Sequence, residues 1–365
     1  MKMALVPDAE SFKRLVDGTT GGPGASLARL GLAALSAPYA AAVAARNAAY
    51  DAGLLAIVRA GVPVVSIGNL TLGGTGKTPL VAWTARLLGR FGRRPAIVSR
   101  GYGARPGETS DEAAELALLL PEVPHVADRD RPRAAARAVA AGADAVVLDD
   151  GFQHRRLARD LDIVAVDATD PFGCGRLFPR GLLREPLGGL ARAGAVVLTR
   201  AAAVDGRRRD EIRATLAAAC RGRLPPVWAE ANHRPVGLRS TTGDTRPLAD
   251  LRGRRVFAFA GIGNPAAFRA AVVAIGAEVV GFESLPDHHA YRPADLDALG
   301  HAAAAARAEL VVTTLKDLVK VRRDALAGLP LAAVEIAIEF AAGEAALEAA
   351  IRAALAGHAP PGARP

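Results

Sequence analysis

Cysteine is nearly absent: the 365 residues hold two, Cys174 and Cys220. That excludes a disulfide framework and a cysteine-built zinc site, and it suits a reducing cytosol. Aromatic residues are few, at 4%, too few for a platform on which nucleic-acid bases would stack. The N-terminus lacks the ordered charged, apolar and cleavage regions of a secretory signal. The longest uncharged segment near the start, Leu30 to Ala45, falls short of the roughly 20 residues that span a bilayer as a helix, and Pro38 interrupts it. Acidic residues are outnumbered, 37 against 46 basic, for a formal charge of +9. Such a surplus favours anionic partners: a nucleotide, an acidic membrane surface or nucleic acid. The basic residues are scattered, which argues against nucleic acid.

What is present describes a folded α/β protein. Hydrophobic residues make up 51% and charged residues 23%, and the length allows about two domains. From residue 62 to about 200, short apolar runs at 62–67, 95–99, 144–148, 162–166 and 195–199 alternate with helical stretches, notably 79–91 and 131–141. This alternation is the mark of a parallel sheet with helices on both faces. Leu224-Pro-Pro is read as a linker. A second unit starts near Arg255, with helices at 265–275 and about 294–307, and strands at 278–282 and 309–313. In Gly261-Ile-Gly-Asn-Pro265, Asn264 is placed as a helix N-cap and Pro265 at the first helical position. Val334 to Phe340 alternates like a half-buried strand, and a helix at 343–355 precedes a Pro-rich tail. The expected division is 1–60, an N-terminal segment with apolar helices; 61–224, the nucleotide-binding domain; 225–325, a smaller α/β domain; and 326–365, a C-terminal strand, helix and tail. Leu30–Ala45 fits equally a helical pair on a membrane surface, with Arg14, Arg29, Arg46 and Arg59 near anionic head groups, and an alanine-rich core helix.

The most informative stretch is Ser66-Ile-Gly-Asn-Leu-Thr-Leu-Gly-Gly-Thr-Gly-Lys-Thr-Pro79. It reads as a phosphate-binding loop between a strand and a helix, as in P-loop NTPases. Thr71, Leu72, Gly73, Gly74, Thr75 and Gly76 form the loop, and its glycines let main-chain N–H groups turn toward an anion. Lys77 adds a positive charge for the β- and γ-phosphates, and Thr78 a hydroxyl for Mg²⁺. Thr71 occupies the position where the common pattern has its first glycine.

Other candidates follow apolar strands, at the edge where ligands bind in open α/β sheets. Asp149-Asp150 after Ala145–Leu148 suits a Mg²⁺-holding pair. The segment goes on Gly-Phe-Gln-His-Arg-Arg, and both Gln153 and His154 could face the cleft. Asp111-Glu112 fits either a base for an attacking hydroxyl or a helix N-terminus with acids on its dipole. Asp287-His288-His289 suits an aspartate-tuned histidine better than a metal site, since adjacent histidines diverge; an exposed loop pair stays open. Arg180 and Arg184 offer guanidinium forks for phosphate. Lys316-Asp317 is either functional or a surface ion pair.

These blocks, with Ala45-Arg-Asn-Ala-Ala-Tyr-Asp51, Ser99-Arg-Gly-Tyr-Gly103, Leu183-Arg-Glu-Pro186 and Thr313-Thr-Leu-Lys-Asp317, run in an order that closely resembles the tetraacyldisaccharide 4'-kinase (lipid A 4'-kinase) family over roughly residues 30–320. Thr71 looks normal for that family. The resemblance implies ATP- and Mg²⁺-dependent phosphorylation of the 4'-hydroxyl of tetraacyldisaccharide 1-phosphate, giving lipid IVA, at the cytoplasmic face of a Gram-negative inner membrane. It tilts Leu30–Ala45 toward membrane docking. It implies Asp111 as the catalytic base, with His288 supporting it and Lys77 on the phosphates; Thr78, Glu112, Asp149 and Asp150 near the metal; and Arg131, Gln153 and Arg184 lining the substrate or nucleotide cleft. Neither a nucleic-acid partner nor an obligate protein partner is expected. Two departures stand out: Ser110-Asp-Glu-Ala113 replaces the family's usual Gly-Asp-Glu-Pro, and Leu315 replaces a glutamate. The rival readings are a nucleotide-dependent switch or metallochaperone-type GTPase, and a kinase of a small soluble substrate. The first would need a guanine-specificity Asn-Lys-x-Asp, of which Thr-Leu-Lys-Asp at 314–317 is only a partial imitation.

Overall fold

The computed structural model describes residues 9–101 and 110–358; Tyr102 and Gly103 of the Ser99–Gly103 block, and the Pro-rich tail from 359, lie outside the described residues. A short helix α1 (Ala9–Asp17) and a long one, α2 (Pro23–Asp51), precede the sheet. Where a helical pair was expected, α2 runs unbroken through Pro38 and takes in Arg29 and Arg46. An interior proline removes one helical hydrogen bond, and here the alanine-rich flanks, strong helix formers, carry the helix across it. Among the described helices, α2 alone is long and apolar enough to cross a membrane, and only 6% of its most apolar window is buried. Leu27, Leu30 and Leu35 project into solvent. Such a helix is compatible with membrane association.

The expected alternation follows: β1 (Val64–Asn69), α3 (Lys77–Arg90), β2 (Pro95–Ser99), α4 (Asp111–Leu119), β3 (His125–Ala127), α5 (Arg131–Ala140), β4 (Ala145–Asp149), β5 (Leu161–Asp167), β6 (Ala195–Thr199) and α6 (Gly206–Ala219). Every residue of β1, β2, β4, β5 and β6 is buried, as expected of strands covered by helices on both faces. Leu80, Leu87 and Leu88 of α3 pack on one face, and Ala134, Ala135 and Ala138 of α5 on the other.

The loop expected as a linker leads straight into a long strand, β7 (Val227–Arg239). Beyond it come β8 (Thr245–Arg246), β9 (Arg255–Ala260), α7 (Pro265–Ala274), β10 (Glu278–Ser284), α8 (Pro293–Ala305), β11 (Leu310–Thr314), α9 (Leu315–Val321), β12 (Ala325–Leu326), β13 (Leu329–Ala342) and α10 (Glu344–Ala356). Asn264 caps α7 by accepting from the Ala267 N–H, with Pro265 in its first turn.

All of these strands join one sheet, ordered β10-β9-β11-β13-β7-β6-β5-β1-β4-β2-β3, with β12 and β8 at its margin. The register of its centre positions the site. The first residues of β7 pair in parallel with β6, Val227 opposite Ala195. Its later residues pair antiparallel with β13, from Glu230 opposite Ala342 to Arg239 opposite Ala333. β11 joins β13 in parallel at the far end, Thr314 opposite Val334. The β7–β13 ribbon is thus a spine with one parallel set at each end. The two sets run in opposite senses, so their carboxyl edges face each other across a cleft. One apolar core spans both sets, from Val65 and Leu80 to Phe259, Val311 and Leu347.

Candidate active site

The phosphate loop leaves the carboxyl end of β1, as expected. Gly73 and Gly76 have φ of 105° and 74°, backbone that other residues adopt only with strain. The loop's start is tied to a neighbouring segment: Thr71 bridges to Leu183 and the Leu72 N–H donates to Leu182 O. Lys77 opens α3. Its Nζ donates to Asn69 Oδ1 at 3.0 Å and lies 3.1 Å from Asp150 Oδ1. Thr78 sits beside it in the first turn of α3.

The adjacent aspartates at the end of β4 differ sharply. Asp150, held at φ 51°, receives Arg184 at 2.6 Å as well as Lys77. Burial alone would raise its carboxyl, but the two cations outweigh it and bring the pKa to about 2. Asp149 is buried and has no ion pair among the described residues. Burial pushes its carboxyl up to about 7 against the pull of Lys77. A buried carboxylate with no ion pair among the described residues, beside a phosphate loop and a hydroxyl, is a donor set suited to a hard divalent cation. No three His, Cys, Asp or Glu side chains among the described residues form a ready-made metal cage.

Gln153 is turned by two bonds from its Nε2, to Asn69 O at 2.8 Å and to Glu185 Oε1 at 3.0 Å. Arg131 is buried at the start of α5, its guanidinium lowered by burial but drawn toward Asp150 and Asp149. Arg180 lies elsewhere: it donates to Val16 O on α1. The guanidinium pair therefore divides, Arg184 to the site and Arg180 to the N-terminal helices.

A second group joins the two edges: Asp111 and Glu112 open α4, which follows β2 on the loop's own edge, and His288 and Lys316 come from the edge opposite. Ser110 caps α4, accepting from the Ala113 N–H. Asp111 and Glu112 are thus a helix N-terminus as well as cleft residues. His288, at φ 59°, brings Nδ1 to 3.4 Å from Asp111 Oδ2. Lys316 Nζ lies 3.2 Å from His288 Nε2 and 3.0 Å from Asp287 Oδ1. An ammonium only donates, so Nε2 accepts and Nδ1 carries the proton directed at Asp111. His289 turns away to Asp295 at 3.2 Å, the divergence expected of adjacent histidines. Lys316 and Asp317 also part: Asp317 is fully buried, binding the Gly261 N–H and the Thr314 hydroxyl.

Sequence reasoning missed Asn69, which holds Lys77, and Glu185, a fully buried carboxylate joining Arg192 at 2.6 Å to Gln153. It also missed His233, whose ring packs against Gly76. The signal for Asn69 was at hand, a polar residue ending an apolar strand. For His233 nothing in the local sequence pointed to the loop.

A phosphate loop on a parallel sheet, faced by a carboxylate–imidazole pair, defines a P-loop phosphotransferase. The tetraacyldisaccharide-1-P 4'-kinase family profile matches residues 28–356. The tetraacyldisaccharide 4'-kinase of Anaeromyxobacter dehalogenans (strain 2CP-C) is 47% identical over 318 residues, 82% of this chain and 83% of the relative. That of Syntrophus aciditrophicus is 39% identical over 82% of this chain and 86% of its own. A crystal structure of Aquifex aeolicus LpxK in complex with ATP superposes with a TM-score of 0.71 at 30% identity, covering 90% of this chain and 99% of that one. This chain belongs to the tetraacyldisaccharide-1-P 4'-kinase family, and it is a kinase.

Proposed function

We propose that the chain transfers the γ-phosphoryl group of ATP to the 4'-hydroxyl of tetraacyldisaccharide 1-phosphate, the lipid IVA-forming step of lipid A biosynthesis. The observation that carries this reading is the meeting of Asp111, from the edge that bears the phosphate loop, with His288, from the edge opposite. The loop amides from Gly73 to Thr78 and Lys77, with Thr71 and Leu72 anchoring the loop's start, bind the phosphates and neutralise charge as it moves toward the leaving oxygen. Thr78, Asp149, Asp150 and Glu112 would hold Mg²⁺, which when bound supplies further charge neutralisation on the phosphate oxygens. Asp111 accepts the proton of the attacking hydroxyl. His288, its tautomer set by Lys316, orients that carboxylate by donating from Nδ1. Arg131, Gln153 and Arg184 line the path of the acceptor or nucleotide. Holding the two substrates in line supplies much of the acceleration.

The exposed apolar surface of α2 supports docking at the cytoplasmic face of the inner membrane, where the acyl chains of the acceptor stay in lipid. We read 61–224 and 225–325 as two domains and 326–365 as the strand, helix and tail that follow; the opposite senses of the two parallel sets support that reading. The test is incubation of the purified protein with radiolabelled ATP and the disaccharide 1-phosphate in detergent. Label should move to the lipid. ATP binding without any lipid labelling would defeat the reading.

A further inference from the structure

Three successive carbonyls of the phosphate loop are each held by a side chain from β7 or the end of β6. Arg200, anchored by Asp167, reaches Gly74 O with both terminal nitrogens, at 3.4 and 3.3 Å. The Thr199 hydroxyl donates to Thr75 O at 2.9 Å. His233 Nε2 lies 3.3 Å from Gly76 O; a carbonyl only accepts, so this nitrogen carries the proton. In a planar trans peptide the C=O and the following N–H point in opposite directions. Each carbonyl fixed outward therefore turns the next N–H, that of Thr75, Gly76 or Lys77, the other way. None of these three N–H groups makes a hydrogen bond among the described residues.

We propose that Thr199, Arg200 and His233 are positioning residues that aim these three amides at the phosphates of the nucleotide. The proposal rests on the reading of the loop as the ATP site. It assigns to side chains some 120 to 160 residues further along the chain an orientation usually credited to the loop's glycines alone. Packing at Gly76 supports it. A Cβ there would lie 2.0 Å from the His233 ring, so glycine is required by the ring as well as by its positive φ. Burial and the nearby Arg200 charge depress the imidazole to about 4, so the ring is a neutral single donor at ordinary pH. Thr199 is fully buried and has Thr75 O and Val166 O as its acceptors.

The test is equilibrium binding of a non-hydrolysable ATP analogue, measured by calorimetry with the melting temperature recorded beside it. Thr199→Val keeps the shape and removes the donor. His233→Leu removes the ring donor, and His233→Gln restores an N–H at a similar reach. Thr199→Val and His233→Leu should each weaken analogue binding about tenfold, the weight of one well-placed hydrogen bond, and His233→Gln should recover most of the loss. Wild-type affinity in both Thr199→Val and His233→Leu would overturn the proposal. So would His233→Gln binding as weakly as His233→Leu, since the ring would then act by filling space. Should His233→Leu fail to fold, Thr199→Val decides alone. Failure of the wild-type protein to bind the analogue would overturn the ATP reading too; unaffected variants of a binding protein overturn this proposal only.

Discussion

The phosphate loop and the pair facing it are held with very different firmness. Lys77 is mostly buried and fixed by Asn69 and Asp150, and the loop behind it is tied at Thr71, Leu72, Gly74, Thr75 and Gly76. The pair that bridges the cleft, Asp111 from the loop's own edge and His288 from the edge opposite, is 33% and 52% exposed and meets at 3.4 Å, the long end of a hydrogen bond. The loop is built in advance; the pair is only brought near. Charge stabilisation in phosphoryl transfer depends on dipoles that need no reorganisation, which suits the fixed loop. An acceptor that arrives with its own anchor needs an open side, and the loosely held pair provides it. Tightening of the pair on binding both substrates would also keep water from the phosphoryl group.

Substitutions in the loop and in the pair separate these roles. Lys77→Ala should have the largest effect, a fall in kcat/KM of about a thousandfold, the upper range for losing a preorganised electrostatic group. It also leaves Asp150 with Arg184 as its remaining ion pair among the described residues. Initial rates with labelled ATP measure it, and a loss under tenfold would remove Lys77 from its role. Asp111→Ala should lower turnover by about a hundredfold, the low end for losing a general base, with ATP-analogue affinity unchanged. Weakened analogue binding in that variant would make Asp111 a nucleotide contact and collapse the contrast between loop and pair. His288→Ala should cost about tenfold in kcat, the value of one orienting hydrogen bond. A loss as deep as that of Asp111→Ala would mean the imidazole itself carries the proton.

The loop was also the more legible of the two. Strand, glycines, Lys77-Thr78 and helix follow one another in the chain, so local spacing declared the loop. Asp149-Asp150 was likewise readable from its place after an apolar strand. The Asp111–His288 pair was readable only residue by residue, because the two are 177 positions apart and meet through the reversal of sense between β7 and β13. That reversal depends on strand register, which no local pattern encodes. The unbroken α2 was missed for a different reason: one interior proline is a strong local signal, and the alanine context outweighed it. Glu185 and His233 were invisible because a buried polar residue is recognisable only once its partners are known.

The smallest expected effect concerns stability and contrasts the two neighbours beside the fixed loop. Asp150, lowered to about 2, stabilises the fold above the usual carboxylate range and loses that contribution as pH falls toward 2. Asp149 is opposite in sign. Its carboxyl is raised to about 7 from an ordinary value of 3.8, so its favourable contribution is complete below pH 4 and is lost as pH rises through 7. Above pH 7 the fold therefore carries an ionised, buried Asp149. Asn has the same shape without the charge. Asp149→Asn should melt higher than wild type at pH 8, by about 2 °C or more for a chain of this size, and the gap should close by pH 4. Addition of MgATP should stabilise wild type more than the variant at pH 8, since a cation offsets the carboxylate's buried charge. A gap that persists at pH 4 would trace the stabilisation to packing, and an Asn variant melting lower at pH 8 would show that Lys77 already compensates Asp149 in full.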